Sequence, residues 1–318
     1  MISLARRIDY LPLNNRPKIR WPNKARVAFW VIPNVEFYEL MPPQKVRRLA
    51  IEPVSPDPDV QGNVQRDYGN RVGFWRMLQV LDKYRVRCTV NINLGVLERL
   101  PEVRDAMVER NWDFCFHGFY NTRTDPKDLS EDEERTFYRD AIATLKRTTG
   151  KQLKGVNVIG RATERMPDLI AEAGLIYNAD WFHDDQPTPI NVTKGRLVSV
   201  PYASELNDSA LVLRNRPWEL DHLLQMCKDQ FDRLYAEGAD NGMVMCLAIH
   251  PWAIGSPHRI NYLDRILDYV MGHDGVWQTT ADDIAEYYLA NYYDEVVAHI
   301  KKLAAPQRSS GIQEGRDA

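Results

Sequence analysis

The sequence predicts a single α/β domain, a distorted (β/α) barrel of seven or eight parallel strands. Three observations predict it. Short apolar runs rich in Val, Ile and aromatic residues recur along the chain. Between them lie segments whose apolar residues repeat every three or four positions, the helical spacing. No G-x-G-x-x-G follows the first apolar run, which removes the usual reason to expect an open dinucleotide-binding sheet. Strand–helix alternation implies parallel strands with helical crossovers. A repeated part of roughly 250 residues matches the closed (β/α)-eight form. An open doubly wound sheet is the alternative.

Residues 1–24 read as a polar, Pro-interrupted arm. ARVAFWVIP (25–33) is the first strand. Residues 39–65 contain many prolines and no clean period, and are expected to form a long loop at a site or a subunit contact. From Gly69 the residues Phe74, Met77, Leu78, Leu81 and Tyr84 make one apolar helix face. VRCTVNINL (86–94) is a strand. Pro101 opens a helix from its first turn. WDFCFHG (112–118) is a strand ending in a His-Gly pair. Ser130 and Glu133 form a capping box for a helix that Gly150 ends.

KGVNVIG (154–160), LIYNAD (175–180) and RLVSVP (196–201) are further strands, with a short helix from Pro167 to Ala173. A long helix from Pro217 carries Leu220, Leu223, Leu224, Cys227, Phe231, Leu234 and Tyr235 on one side. MVMCLAIH (243–250) is continuously apolar, as a strand buried on both faces must be. Ile260–Met271 is a helix and GVWQTT (275–280) the last strand. Thr280 and Asp283 cap a final helix. The barrel is expected over 25–295, and 296–318 forms a polar, frayed tail.

The chain has 318 residues, with 41 Lys and Arg against 44 Asp and Glu, a net charge of −3. That balance argues against nucleic acid as a partner, which wants a concentrated basic face. No run reaches the ~20 apolar residues of a membrane helix. The first twenty residues lack the apolar stretch of a secretory signal, so a cytoplasmic location is expected. Cys88, Cys115, Cys227 and Cys246 are far apart in apolar contexts. They read as buried hydrophobes in a reducing compartment.

Active residues of parallel α/β folds gather at the carboxyl ends of strands. Those ends deliver Asn34 and Glu36, Asn93, His117 with Asn121, Arg161, then Asp180, His183, Asp184 and Asp185, and finally His250 with Trp252. Two histidines and several carboxylates at one mouth suit general acid–base hydrolysis. They equally suit a zinc-like ion. No H-E-x-x-H or H-x-H is present, and the four-spaced pair at His117 is His–Asn, whose amide is a poor ligand. In RDYGNRVGFWR (66–76), Arg71 has the fork to meet a substrate carbonyl or carboxylate. An Arg71–Asp67 pair at a helix cap is the alternative reading. Trp252 and the tyrosines at 287–293 read as packing or, alternatively, as a sugar platform.

These segments resemble the polysaccharide deacetylase superfamily (the NodB-homology domain). The similarity is nearest to the branch of metal-independent allantoinases and similar cyclic-amide hydrolases. It spans about 20–295 and rests on WPNKARVAF, DYGNRVGFWRML, the strand ending FHG, the Gly160–Arg161 pair, YNADWFHDDQP and LAIHPWAIGSPHR. The resemblance implies a distorted barrel that hydrolyses carbon–nitrogen bonds. Glu36 then occupies the catalytic-base position, and Phe37 replaces a metal-binding acid. His117 is kept, and Asn121 replaces the second metal histidine. Arg161 matches the third motif without its usual Pro-Tyr. Asp180 or Asp184 orients the last histidine, and His250 takes the general-acid position.

With two of three family ligands replaced, the expectation is catalysis with no cofactor. A divergent zinc-like site using Glu36 and His117 is kept as an alternative. The expected activity is hydrolysis of a linear or cyclic non-peptide amide. Glu36 activates water, its pKa raised toward neutrality by apolar surroundings. His250 protonates the departing nitrogen. His117 bonds the oxyanion or the water. Arg71, Asn121, Arg161 and Trp252 place the substrate. A metal-dependent polysaccharide or amino-sugar N-deacetylase is the second reading. A catalytically inactive barrel that binds a ligand is the third. The expected partner is a small-molecule amide, with neither nucleic acid nor membrane, and the arm and loop favour a homo-oligomer.

Overall fold

Strand β1 (Val27–Val35) is the spine of the molecule, and all nine of its residues are buried. In the computed structural model, which describes residues 2, 4–41, 58, 60–122, 128–158, 162–181, 183–203, 205–209 and 219–304, eight further strands join it. They are β2 (Thr89–Ile92), β3 (Asp113–Phe116), β4 (Gly155–Val156), β5 (Tyr177–Asn178), β6 (Thr188–Ile190), β7 (Leu197–Ser199), β8 (Met243–Ile249) and β9 (Val276–Thr279). The sheet order is β6-β7-β5-β4-β3-β2-β1-β8, with β9 also on β1. Every pairing is parallel except β6 with β7.

One flank of β1 pairs with β8 from Val27↔Met243 to Pro33↔Ile249. The other flank is shared, β9 taking Val27 to Trp30 and β2 taking Asn34 and Val35. The free edge of β8 is covered by coil. Its Val244 N–H donates to Asp185 O at 2.9 Å, and its Ala248 N–H to Leu206 O at 3.0 Å. Asn207 forms a single parallel bridge with Ala248. This is the distortion of the barrel: one wall is irregular chain bonded to β8.

Helices α1 (Val60–Tyr68), α2 (Phe74–Lys83), α3 (Leu94–Arg99), α4 (Pro101–Glu109), α5 (Glu131–Thr149), α6 (Met166–Glu172), α7 (Glu219–Glu237), α8 (Ile260–Met271), α9 (Ala281–Asn291) and α10 (Tyr293–Ala304) supply the crossovers and the C-terminal end. The expected capping box is present: the Ser130 side chain accepts from Glu133 N–H, and Glu133 reaches back to Ser130 N–H. Gly150 ends α5 at φ 73°, a left-handed conformation that glycine adopts without a Cβ penalty. The core contains Phe29, Trp30, Phe74, Phe114, Phe116, Tyr138 and Phe231. Each contributes roughly 1.5–3 kcal/mol by leaving water. All four cysteines are buried and free. Burial pushes their thiols up, Cys227 to about 12, which makes them inert.

Three expectations change. Part of the expected 39–65 loop is helical, because α1 starts at Val60; 42–57 and 59 lie outside the described residues. The helix expected from Gly69 is preceded by α1 and joined to it by a π-helical turn, Gly69–Gly73. The stretch expected as a tail begins inside α10, and 305–318 lie outside the described residues. The N-terminal arm is anchored by a buried cation. Arg7 forks onto Asp168 at 2.9 and 2.7 Å and also donates to Asn191 O and Glu164 O. Among the described residues no helix is long and apolar enough to cross a membrane.

Candidate active site

Glu36 follows directly on β1 and is buried. Both carboxylate oxygens are engaged. Oε1 accepts from Asn121 Nδ2, and Oε2 accepts from Trp252 Nε1 at 3.2 Å. Arg66, itself buried on α1, lies with Nε 3.6 Å from Oε2. Asn70, in the π turn, donates to the Glu36 main-chain carbonyl at 2.9 Å. Burial alone would raise the Glu36 pKa. The Arg66 charge overrides it, helped by the nearby His250 and His117 and by the Trp252 hydrogen bond, so the acid sits below the usual glutamate range. The expectation of a base tuned upward is therefore wrong: burial does raise the pKa, but Arg66, His250, His117 and the Trp252 hydrogen bond together outweigh it.

The Gly69–Gly73 turn explains how Trp252 reaches Glu36. A Cβ on Gly69 would lie 2.7 Å from Trp252 N, and one on Gly73 would lie 2.0 Å from Pro251 O. Only glycine permits backbone to approach this closely. A π turn placed where two elements meet at a site is a recurrent device.

His250 follows directly on β8, and its ring is held from behind. Nδ1 lies 2.7 Å from Asp208 Oδ1, while Asp208 Oδ2 accepts from His250 N–H at 2.9 Å and Ile254 N–H at 3.0 Å. Asp208 is fully buried. A carboxylate can only accept here, so Nδ1 carries the hydrogen and Nε2 is the working nitrogen.

His117 ends β3. Its Nδ1 bonds the Asn157 main-chain carbonyl, which can only accept, so the hydrogen again sits on Nδ1. Its Nε2 lies 3.9 Å from Glu36 Oε1. Beneath it lies a layer of buried amides. Asn91 donates to Asn34 Oδ1 at 2.7 Å and to Asn157 Oδ1 at 3.0 Å, and Asn157 donates to Ala179 O at 2.7 Å. Asn93 holds Asn121 Oδ1 at 3.1 Å and His117 O at 2.8 Å. The layer follows from register, since Asn34 pairs with Asn91 across β1 and β2.

The structure thus brings Glu36, His117, Asn121, His250 and Trp252 together. It does not give Asp180 or Asp184 the expected task of orienting His250. Asp180 accepts from Val158 N–H and Asn178, and Asp184 pairs with Arg16 of the arm at 2.8 Å. Asp208 does that task because the Asn207 bridge carries it alongside β8. Arg71 is 73% exposed and pairs with Asp67 as expected, but as an i,i+4 pair along a continuous helical run and not at a cap, and Arg66 is the arginine at Glu36. Arg161 lies outside the described residues. Asp208 and Arg66 escaped the sequence reading. The signal available for Asp208 was an acid after an apolar Leu206 in an otherwise polar coil. For Arg66 it was the first position of the RDYGNR segment.

The donors do not fit the zinc site of a metal-dependent deacetylase. Such a site needs three or four N, O or S ligands. Here Asn121 turns its NH₂ toward Glu36 and gives its oxygen to Asn93, and Phe37 offers no donor. The Arg66 cation already faces Glu36. Among the described residues no three His, Cys, Asp or Glu side chains converge as ligands.

No protein-family model matches the sequence. A Schizosaccharomyces pombe protein named as a polysaccharide deacetylase is 26% identical over 88% of this chain and 95% of its own length. A Helicobacter pylori peptidoglycan deacetylase is 24% identical over 70% of this chain and 85% of its own length. Among solved structures, a Pseudomonas aeruginosa PAO1 protein named as a polysaccharide deacetylase superposes with TM-score 0.77 at 28% identity, over 88% of this chain and 96% of that one. The allantoinase PuuE superposes with TM-score 0.78 at 27% identity, over 90% and 99%. By sequence and by fold, the chain is related to the polysaccharide deacetylases of the NodB-homology superfamily, with an allantoinase among those relatives.

Proposed function

We propose that this protein hydrolyses a non-peptide amide carbon–nitrogen bond, linear or cyclic, by general acid–base attack of water. The observation that carries the reading is the pairing of a charged, anchored Glu36 with an Asp208-backed His250 in one site. In this reading the attacking water binds between His117 Nε2 and Glu36 Oε1, which lie 3.9 Å apart, and donates to both. Glu36 takes the proton of that water as it attacks the carbonyl carbon. The proton given to the departing nitrogen comes from His250 Nε2–H, and the Asp208 carboxylate stabilises the imidazolium that supplies it. Arg66, with Nε 3.6 Å from Glu36 Oε2, keeps that carboxylate ionised and in place. The substrate we propose is a small-molecule amide, and we propose a homo-oligomeric, cytoplasmic enzyme. Exposed Val60, Val64, Val72 and Trp75 along one helical run support assembly.

The names of the relatives supply the two substrates to try: allantoin, and an N-acetylated sugar oligomer. Hydrolysis of either, unchanged by EDTA and lost by about 10²–10⁴-fold in Glu36→Gln, is the expected result. Wild-type turnover in folded Glu36→Gln would overturn the assignment. Activity on the sugar that EDTA abolishes would replace it with the metal-dependent deacetylase reading.

A further inference from the structure

We propose that Arg66 is the positioning residue of Glu36, a guanidinium clamped between two aromatic rings that fixes the carboxylate and stands as the permanent positive charge of the site. The assignment rests on geometry. Arg66 Cζ lies 4.2 Å from the Tyr38 ring centroid and 4.5 Å from the Trp252 ring centroid. Both are cation–π distances. The two rings come from opposite ends of the chain, one beside Glu36 and one beside His250. The guanidinium is therefore packed between the two halves of the site.

Its edges are also occupied. Nη1 donates to Gln65 Oε1 at 2.6 Å, and Nη2 to the Tyr38 hydroxyl at 3.3 Å. Nε is left on the side of Glu36, 3.6 Å from Oε2. Trp252 serves twice, stacking on Arg66 and donating to the same Oε2. Tyr38 serves twice as well, since its hydroxyl also accepts from Asn121 Nδ2, the donor to Oε1. Both oxygens of the carboxylate are thus tied to the residues that hold Arg66. A lysine would keep the charge but not the plane or the fork.

The other charged and titratable groups facing Glu36 among the described residues are His117 at the end of β3, His250 after β8 with Asp208 behind it, and Tyr202 after β7. Unlike these, Arg66 carries a charge that is permanent and opposite to that of Glu36. Burial is the largest single influence on Glu36 and raises its pKa; the Arg66 charge is the largest of the opposing ones, so without it the balance moves upward.

The inference rests on Glu36 being the base, but its test needs no substrate. The side-chain carboxyl of ¹³C-glutamate-labelled protein is titrated in wild type and in Arg66→Met, with Glu36→Gln to assign the resonance. Wild-type Glu36 is expected to stay ionised to below pH 4.5. In Arg66→Met its midpoint is expected to rise by about one pH unit or more. Arg66→Lys should fall between them. An unchanged midpoint in folded Arg66→Met overturns the proposal. Should that variant not fold, the Arg66 Nε–H resonance at pH 7 decides, compared between wild type and the uncharged isostere Glu36→Gln. A clear shift supports the clamp, and an identical resonance refutes it. A clamp seen by NMR in a protein that hydrolyses neither allantoin nor the acetylated sugar would refute the functional reading alone.

Discussion

Asp208 is the residue whose replacement most sharply separates structure from chemistry. It accepts three hydrogen bonds at 2.7, 2.9 and 3.0 Å and is fully buried. Asp208→Ala leaves the His250 and Ile254 N–H groups and the imidazole Nδ1–H without partners. Each buried unpaired donor costs about 1–3 kcal/mol, so the loss is about 3–5 kcal/mol after partial relaxation. For a chain of this size that lowers the Tm by roughly 4–8 °C. Asp208→Asn behaves differently. Its Oδ1 can keep the two backbone bonds while its NH₂ faces His250 Nδ1, which must then become an acceptor. The hydrogen moves to Nε2 and the ring loses the carboxylate that stabilises its charged form. We expect a Tm within a few degrees of wild type, a turnover reduced by ~10²–10⁴-fold, and a changed His250 ¹⁵N tautomer pattern. Calorimetry and long-range ¹H–¹⁵N spectra of the ring read these outcomes. An Asp208→Ala protein as stable as wild type, or an Asp208→Asn protein with the wild-type tautomer, would refute the reasoning.

Other perturbations follow the same logic. Burial pushes the Asp282 carboxyl up to about 8, so the folded protein binds this proton more tightly than the unfolded chain. Wild-type stability should fall as pH rises from about 4 to 8, and Asp282→Asn should remove that slope, gaining on the order of 5 kcal/mol at pH 9 in urea unfolding and little at pH 4. Gly73→Ala would place a Cβ 2.0 Å from Pro251 O. It should cost at least about 2 kcal/mol by thermal melting and shift the His250 ring resonances, because the Pro251 segment has to move. Arg7→Met strands Asp168 and frees the arm. It should cost about 3 kcal/mol and bring proteolytic cleavage to residues 4–24 under conditions where the wild type resists.

Much of the fold was legible because its signals are local. The runs at 25–33 and 243–250 are apolar without alternation since both faces of β1 and β8 are buried. His117 and His250 declared themselves by ending such runs. The capping box at Ser130 and Glu133 is a four-residue pattern and appeared as read. The residues that were missed depend on distant parts of the chain. Asp208 becomes the partner of His250 through one bridge from irregular coil, and coil carries no period to read. Arg66 is buried because Tyr38 and Trp252 enclose it, though it sits beside a proline-rich stretch that reads as loop. The acidity of Glu36 is not legible for the same reason: the sequence around it is apolar, and the groups that oppose burial, Arg66 first among them, come from distant elements.

The layer of asparagines under His117 has a consequence for how the site responds to its surroundings. Primary amides neither gain nor lose protons over any biological range. A floor made of Asn34, Asn91 and Asn157 therefore orients the catalytic ring with dipoles whose sign is permanent. Acidification can alter what stands on that floor but not the floor itself, so the arrangement of these amides should persist while the groups above them titrate.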